Sequence, residues 1–195
     1  AQVLLTPEDT ENRRRFLKTA ALSGMAPFLL PSRIWSASTG PNDRIVIGCI
    51  GTGTQSRHLI GNLLQRPDCQ VVAVCDVDAN RRQAARKSVE DHYAQQADQG
   101  GYTGCKSTGD FRALLALRDI DAVVIATPDH WHALTSIAAA NAGKDIYCEK
   151  PLSQSVQESR AMVNAVRRNR RVFQTGSMQR SMTEFRRACE LVRNG

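Results

Sequence analysis

From residue 44 to the end of the chain, short apolar runs alternate with longer stretches whose apolar residues recur at helical spacing. The short runs are mostly rich in Val and Ile, which is typical of strands buried on both faces of a parallel sheet. Alternation of strands and helices at this spacing predicts an α/β fold with a doubly wound parallel sheet. Strands are predicted at residues 44–50, 71–75, 122–126, 145–148 and 172–174, and a less distinct third strand is expected within residues 102–107.

Apolar residues spaced three and four apart indicate which helix faces pack against this sheet. Gly143 follows one of these helical stretches and fits a helix C-terminal stop. The predicted apolar faces are Leu59 with Leu63, Ile60 with Leu64, Leu134 with Ile137 and Ala138, and Val156 with Met162, Val163 and Val166.

The N-terminal segment has the layout of an export signal. Residues 12–18 read Asn-Arg-Arg-Arg-Phe-Leu-Lys, an apolar stretch follows at residues 20–30, and small residues come at 36–38. Paired arginines before Phe-Leu-Lys resemble the twin-arginine signal, which is read by a translocase that moves folded proteins. The apolar stretch is 11 residues long. Because a membrane span needs about 20 residues, no stable span is expected.

We therefore predict a twin-arginine signal peptide at residues 1–38, followed by a linker at residues 39–43. This prediction implies the twin-arginine translocase as a partner during export, and a final location in the periplasm or otherwise outside the cytoplasm. The alternative is that the segment forms a basic, amphipathic N-terminal helix of the mature protein. Pro27 and Pro31 disfavour a continuous helix there.

Charge and cysteine content argue against several classes of partner and site. The formal net charge is +7, but the basic residues after the N-terminal segment are scattered and form no stripe interleaved with aromatic residues. Nucleic acid is therefore not expected as a partner.

Six cysteines are present, without C-x-x-C pairs or a histidine at metal-ligand spacing, so no metal site is predicted. Cys49, Cys75 and Cys148 fall inside apolar runs and are interpreted as small buried residues rather than parts of a disulfide framework.

The first predicted strand runs into the turn Gly51-Thr52-Gly53-Thr54-Gln55-Ser56 and then into a helix. A pyrophosphate needs backbone N–H groups at a helix N-terminus, and side chains would keep it at a distance. Gly51 permits the tight turn and Gly53 permits the close approach. Ser56 replaces the third glycine of the usual fingerprint, so helix and strand are expected slightly further apart there. The predicted phosphate-binding residues are Gly51, Thr52, Gly53, Thr54 and Gln55.

Asp76 ends the second predicted strand, 25 residues after Gly51. A carboxylate at this place can accept hydrogen bonds from both adenosine ribose hydroxyls and would repel a 2′-phosphate, so NAD is favoured over NADP. The adjacent Arg81 and Arg82 are the counterargument, because an arginine can hold that phosphate. In the simpler reading, Asp76 only caps the next helix, a role that Asp78 could fill instead.

Two further strand ends carry clusters of polar residues. The fourth predicted strand runs into residues 127–132, Thr-Pro-Asp-His-Trp-His, and the fifth runs into residues 149–151, Glu-Lys-Pro. Ligands of an open α/β sheet bind at the carboxyl ends of its strands, so both motifs are expected beside the dinucleotide. Lys150 precedes a proline, which favours an extended backbone and directs the lysine amine. That amine can exchange a proton with an alcohol or carbonyl during hydride transfer.

Simpler interpretations exist for several of these residues. His130 and His132 could cap and pack the following helix, or resemble a metal pair, but a suitable third ligand is lacking. Trp131 is interpreted as a packing residue rather than as a substrate platform. Taken without its context, Lys150 is an ordinary lysine at the end of a strand.

The ordered set of these motifs resembles the glucose–fructose oxidoreductase/inositol dehydrogenase/MocA family over about residues 44–195. The resemblance implies a Rossmann dinucleotide-binding domain at residues 44–175, the start of a substrate domain at residues 176–195, and a remaining α+β part of that domain beyond them. The family usually has Asn where this chain has Asp129. By resemblance, Lys150 is the catalytic-site lysine, the residues lining the nicotinamide side are Thr127, Pro128, Asp129, His132, Glu149 and Lys150, and Gln179 and Arg180 face cofactor or substrate.

The implied function is an NAD(P)-dependent oxidoreductase that transfers a hydride to or from a sugar, polyol or related alcohol, with NAD as the expected cofactor. In this family a downstream Asp and His normally complete catalysis, and both are expected beyond residue 195. Two alternatives stay open: an exported NAD-dependent glycosidase of the same family, and a non-catalytic NAD-binding protein, which Lys150 argues against. The resemblance also implies a homo-oligomer for the full-length protein.

Overall fold

The computed structural model describes residues 44–95 and 102–195. The predicted signal peptide and the predicted linker lie outside these residues. Within the described ranges, no helix combines the length and the apolar character that a bilayer crossing requires.

A parallel sheet forms the centre of the fold. In the described residues it has six strands in the order β3-β2-β1-β4-β5-β6, and every pairing is parallel. The order reverses between β1 and β4, which are neighbours in the sheet but not in the chain, so the predicted doubly wound Rossmann fold is confirmed. The strands are β1 (Ile45–Ile50), β2 (Cys69–Cys75), β3 (Lys106–Thr108), β4 (Ala122–Ile125), β5 (Asp145–Glu149) and β6 (Phe173–Gly176).

Helices cover both faces of this sheet. Their bounds are α1 (Thr54–Leu64), α2 (Ala79–Ala94), α3 (Phe111–Leu115), α4 (His132–Asn141), α5 (Val156–Arg168) and α6 (Thr183–Asn194), with short 3₁₀ helices at Asp129–Trp131 and Met178–Ser181. Side chains cap three of these helices at their N-termini: Asp78 caps α2, Asp110 caps α3 and Ser155 caps α5. Gly143 follows α4 with a φ of 75°, as expected for a helix stop.

The strand boundaries differ from the prediction at the sheet edges. The third strand is reduced to Lys106–Thr108, because it is an edge strand that pairs only with β2. The last strand starts one residue later than predicted and continues to Gly176, where it pairs with Glu149. Its final residues, Thr175 and Gly176, are not apolar, so hydrophobicity alone gave no sign that the ladder reaches them.

Two apolar cores lie on opposite faces of the sheet, because alternate residues of each strand point to opposite sides. One core joins the strands to α1 and α2, and the other joins them to α3, α4 and α5. Five of the six cysteines are buried and the sixth, Cys189, is exposed; all are free thiols. This agrees with their interpretation as small core residues.

Two residues of the predicted helix faces are wrong, whereas Ile137, Ala138 and Val166 pack against the core and Met162 is buried, as predicted. Leu134 is 49% exposed and Val156 is 87% exposed, although both were expected to face the sheet. Helix α4 instead buries small residues, including Ala133, Ala139 and Ala140. Small side chains let a helix lie close to its neighbours, and they carry a weaker hydrophobic signal than the Leu on the opposite face.

Candidate functional site

The two glycines of the turn between β1 and α1 have different roles. Gly51 has a φ of 83°, and a Cβ added to it would lie 2.6 Å from the carbonyl oxygen of Ala126. A side chain at this position is therefore excluded by both backbone conformation and space. A Cβ added to Gly53 would meet only the Arg81 side chain, at 4.0 Å. Within the described residues, no contact therefore requires a glycine at position 53. The open side of Gly53 is available to a ligand.

The N-terminus of α1 lies at this open side. No side chain caps it, in contrast to α2 and α5. Uncapped N–H groups at a helix N-terminus form an anion-binding site, since they are donors without partners and the helix dipole adds positive potential. Ser56, in the first turn, is fully buried, and among the described residues its hydroxyl has no hydrogen-bond partner.

The carboxylate of Asp76 is partly occupied by its own chain. Its Oδ2 accepts hydrogen bonds from the backbone N–H of Thr52 at 2.7 Å and from the Thr52 hydroxyl at 2.9 Å. Its Oδ1 accepts one bond, from the backbone N–H of Asp78 at 2.9 Å. Since each carboxylate oxygen can accept two bonds, Oδ1 keeps capacity for a ligand hydroxyl. Asp78 caps α2, so the capping role and the ligand-facing role fall on different acids.

The two neighbouring arginines also separate. Arg82 donates from Nη1 to the backbone carbonyl of Asp76 at 2.5 Å, which ties it to the end of β2. Arg81 is exposed, lies 3.9 Å from the Asp78 carboxylate and is the nearest side chain to the open face of Gly53. Of the two, Arg81 is therefore the one placed to meet a phosphate.

An apolar cavity of about 160 Å³ opens beside Asp76, between the ends of β1, β2 and β4. Phe111 and Trp131 lie on its wall, with ring centroids 6.3 Å apart in an edge-to-face arrangement. Trp131 is 42% exposed, so its interpretation as a packing residue is incomplete. A flat apolar slot with aromatic walls suits a purine base, which binds by stacking.

A second, polar cavity of about 330 Å³ lies at the ends of β4 and β5. Both strand-end motifs meet here, as expected from the parallel sheet. Lys150 is exposed on its wall, and no hydrogen-bond partner of its amine occurs among the described residues; the peptide bond to Pro151 is cis. The cavity is lined by Gln55, Ala126, Thr127, Asp129, His132, Glu149, Lys150 and Pro151.

Glu149 is held in place by three donors. Its Oε1 accepts from the Gln55 amide at 3.1 Å and from the Tyr147 hydroxyl at 3.2 Å. Its Oε2 accepts from the backbone N–H of Lys150 at 3.3 Å. Burial and the charge of Glu149 raise the pKa of Tyr147 to about 12, so the hydroxyl remains a donor at neutral pH. Sequence reasoning missed Tyr147, although its place two residues before Glu149 on a strand puts both side chains on one face.

His132 connects the two motifs. Its ring is 2% exposed, with Nδ1 2.6 Å from the carbonyl oxygen of Pro151 and Nε2 2.8 Å from that of Thr127. Both nitrogens are therefore engaged with backbone carbonyls, and neither is free for a ligand. His132 therefore lines the polar cavity, but its nitrogens do not face the predicted cofactor. They join the loop after β4 to the loop after β5.

The remaining predicted residues lie less centrally. His130 is exposed and its Nδ1 is 3.6 Å from the Asp129 carboxylate. The described residues contain no group of three potential metal ligands. Gln179 and Arg180 are exposed on the 3₁₀ helix at Met178–Ser181 and line neither of the two cavities.

Thr127 lies between the cavities and lines both of them. Its hydroxyl is buried and has no hydrogen-bond partner within the described part of the chain. Buried polar groups are nearly always paired, and the hydroxyls of Ser56, Tyr102 and Ser136 share this unpaired state in the described residues. The two cavities share Thr127, and Gly51 of the apolar one and Gln55 of the polar one flank the uncapped N-terminus of α1, which fits the base, nicotinamide end and pyrophosphate of a dinucleotide.

Comparison with known proteins gives a consistent result. The profile of the GFO_IDH_MocA family, described as an oxidoreductase family with an NAD-binding Rossmann fold, matches residues 45–177. An uncharacterized oxidoreductase, YrbE, of Bacillus subtilis (strain 168) is 32% identical over 152 residues, which cover 78% of this chain and 41% of the relative. A glycosyl hydrolase family 109 protein of Solibacter usitatus is 31% identical over 166 residues, covering 80% of this chain and 36% of the relative.

Among solved structures, myo-inositol 2-dehydrogenase from Lactobacillus plantarum superposes with a TM-score of 0.66 at 25% identity, covering 78% of this chain and 42% of that one. The chain thus spans about two fifths of the length of these relatives. The family profile covers well over half of the chain, and it includes both glycine-turn and Glu-Lys-Pro motifs. The chain belongs to the oxidoreductase family with an NAD-binding Rossmann fold.

Proposed function

We propose that this chain is the nucleotide-binding half of an NAD-dependent oxidoreductase that transfers a hydride to or from a sugar, polyol or related alcohol. The observation that carries the proposal is that Thr127 lines both the apolar and the polar cavity, while Gly51 of the first and Gln55 of the second flank the uncapped N-terminus of α1. Bound nucleotide would supply the hydride acceptor in its oxidised form and the hydride donor in its reduced form.

The residues of the chain divide the remaining work. The backbone at Gly53 and the first turn of α1 bind the pyrophosphate. Oδ1 of Asp76 accepts a hydrogen bond from a hydroxyl group of the adenosine ribose. Lys150, whose amine is uncommitted among the described residues, exchanges a proton with the substrate oxygen. The polar contacts of Glu149 and His132 keep the wall around Lys150 in place.

Binding of the adenosine part can be tested by tryptophan fluorescence. The chain has two tryptophans, so a Trp35→Phe variant leaves Trp131 as the only emitter. We expect NAD and AMP to change the Trp131 emission, and nicotinamide mononucleotide to leave it nearly unchanged. Calorimetry on the same protein gives the dissociation constants. Absence of NAD binding by calorimetry would overturn the proposal.

Hydride transfer needs the substrate carbon held against the nicotinamide ring, which one open face of a sheet does not achieve. We therefore propose that a second domain completes the substrate pocket, and that the chain as given binds NAD without turnover. Exposed apolar residues on α6, Phe185, Leu191 and Val192, support a covering domain. An absorbance assay at the nicotinamide band with a panel of sugars and polyols tests this. Lys150-dependent turnover by this chain alone would contradict it.

A second candidate is an NAD-dependent glycosidase, which the similarity to glycosyl hydrolase family 109 proteins supports. Such an enzyme releases the leaving group of a glycoside without net turnover of the nucleotide. In the longer protein, a net change in nicotinamide absorbance with a free sugar favours the dehydrogenase. Release of a chromogenic leaving group at constant absorbance of the nucleotide favours the glycosidase.

We further propose export through the twin-arginine pathway, on the basis of the pattern at residues 12–38. Replacing Arg13 and Arg14 with lysine keeps the charge but removes the guanidinium groups. We expect the variant to stay in the cytoplasm on fractionation, whereas replacing Lys18 with arginine leaves export intact. Export of the double variant would show that only the general charge of the segment matters.

A further inference from the structure

Glu149 is the only buried carboxylate in the described ranges, with 5% of its surface exposed. A buried carboxylate is costly unless hydrogen bonds compensate for the lost water. The donors are unevenly distributed over its two oxygens. Oε1 receives the Gln55 amide and the Tyr147 hydroxyl, whereas Oε2 receives one backbone N–H at 3.3 Å, a long hydrogen bond. Oε2 is therefore the oxygen with acceptor capacity left.

Tyr147 and Gly176 lie behind this carboxylate. Glu149 lines the polar cavity, whereas neither Tyr147 nor Gly176 does. Gly176 pairs with Glu149 across the β5–β6 ladder. A Cβ added to Gly176 would lie 2.8 Å from Glu149 Cδ and 2.8 Å from the Tyr147 hydroxyl. The space that a side chain at residue 176 would need is thus filled by the hydrogen-bonded pair.

We infer that Tyr147 is a positioning residue: with the Gln55 amide it fixes Oε1 of Glu149, so that Oε2 is presented to a hydroxyl group of the ribose at the nicotinamide end. This inference rests on the proposed function, because it assumes that the polar cavity receives that end of NAD. Tyr147 itself touches no ligand, and its contribution passes through Glu149. The bare glycine at residue 176 is what allows the pair to adopt this arrangement.

The test compares three probes by calorimetry: NAD, ADP-ribose and ADP. ADP-ribose has the second ribose without the nicotinamide, and ADP lacks both. We expect Tyr147→Phe to weaken NAD and ADP-ribose by about fivefold, the effect of one lost hydrogen bond, and to leave ADP within about twofold. A loss of NAD affinity alone, with ADP-ribose unaffected, would overturn the assignment to the ribose. An equal loss for all three probes would mark Tyr147 as merely structural.

Tyr93→Phe is the matched control. Its hydroxyl is also part-buried and accepts a hydrogen bond from the Val71 N–H at 3.0 Å, but this partner, unlike Glu149, lines neither ligand cavity. We expect a comparable shift in melting temperature and unchanged affinity for all three probes. If Tyr93→Phe reproduced the selective loss, the inference would fail.

Two further variants ask whether Tyr147 acts through Glu149. Gly176→Ala keeps every polar group but displaces the same pair, so the same selective loss is expected. In a Glu149→Ala background, Tyr147→Phe should add no further loss, as a double-mutant cycle requires for coupled residues. Additive losses would overturn the inference. If the unmodified chain bound no NAD, the proposed function itself would fail, whereas normal NAD binding by both Tyr147→Phe and Gly176→Ala would refute only the inference.

Discussion

The two cavities on either side of Thr127 are built in different ways. The adenosine side is apolar, and its polar group, Asp76, is already hydrogen-bonded to the turn that carries the glycines. The nicotinamide side is polar and contains a buried carboxylate together with an exposed lysine whose amine is uncommitted among the described residues. Under the proposed function, one side recognises a fixed shape and the other keeps groups available for proton transfer.

The sharpest test of this division is Lys150→Met in the longer protein. Methionine keeps much of the side-chain volume and cannot carry a proton. We expect turnover to fall by about 100-fold to 10,000-fold, the usual contribution of a general acid or base, with NAD affinity nearly unchanged. Lys106→Met is the control, because Lys106 lies on the edge strand β3 and forms an exposed ion pair with Asp119. Loss of NAD binding would make Lys150 a cofactor ligand, and retention of most of kcat would remove it from proton transfer.

A pair of substitutions separates shape from ligand contact on the adenosine side. Gly51→Ala should lower the free energy of unfolding by about 2–4 kcal/mol, because it strains the backbone and collides with Ala126. Gly53→Ala should cost at most about 1 kcal/mol, since its Cβ meets no close neighbour and the only loss is the N-cap preference for glycine over alanine. It should nevertheless weaken NAD binding by about tenfold, equivalent to about 1.4 kcal/mol, because a methyl group keeps the pyrophosphate at a distance. Denaturant unfolding and calorimetry measure the two effects, and a Gly53→Ala variant as destabilised as Gly51→Ala would break the distinction.

The nucleotide preference depends on the charge at Asp76. Asp76→Asn keeps an acceptor oxygen for the Thr52 donors but removes the charge that repels a 2′-phosphate. We expect the preference for NAD over NADP to narrow by about tenfold in calorimetric titrations. Asp78→Asn, which alters the α2 cap, should leave the preference unchanged. Equal binding of NADP by the unmodified chain would show that Arg81 outweighs Asp76.

The smallest effect is expected at the apolar wall. Trp131→Leu removes an aromatic face but keeps an apolar one, so AMP and NAD should both weaken by about fivefold, which corresponds to about 1 kcal/mol of stacking. Nicotinamide mononucleotide serves as the control ligand, because it has no purine. A variant that lost affinity for the mononucleotide as well would show that Trp131 supports both sides.

Much of the site could be predicted because its residues are local to strand ends. In a parallel sheet all carboxyl ends meet at one edge, so motifs that are 95 residues apart in sequence converge without further information, as Gln55 and Lys150 do on one cavity. Gly51 and Gly53 were also assigned from the turn that they occupy. The fold class followed from the alternation of strands and helices.

The parts that sequence could not predict depend on contacts between distant segments. The two carbonyl partners of His132 come from loops after different strands. Tyr147 gains its role only once Glu149 and Gln55 are adjacent to it. Apolar periodicity failed for Leu134 of α4, since the helix buries mainly small residues beside Ile137 and Ala138. The spacing of Tyr147 and Glu149 is local, but the approach of Gln55 to Glu149 and of Pro151 to His132 is non-local, and no pattern along the chain encodes it.

The uncapped start of α1 has a consequence for any preparation of this protein. A capping side chain stabilises a helix by about 1 kcal/mol, and α1 has none. Under the proposed function, the bound nucleotide takes that place. The nucleotide then stabilises the helix only while it is bound. The fraction of chains that carry it shifts the unfolding equilibrium by mass action. A sample purified with partial occupancy would contain two populations with different melting temperatures. Stability values for such samples become comparable only when the nucleotide content of each has been fixed.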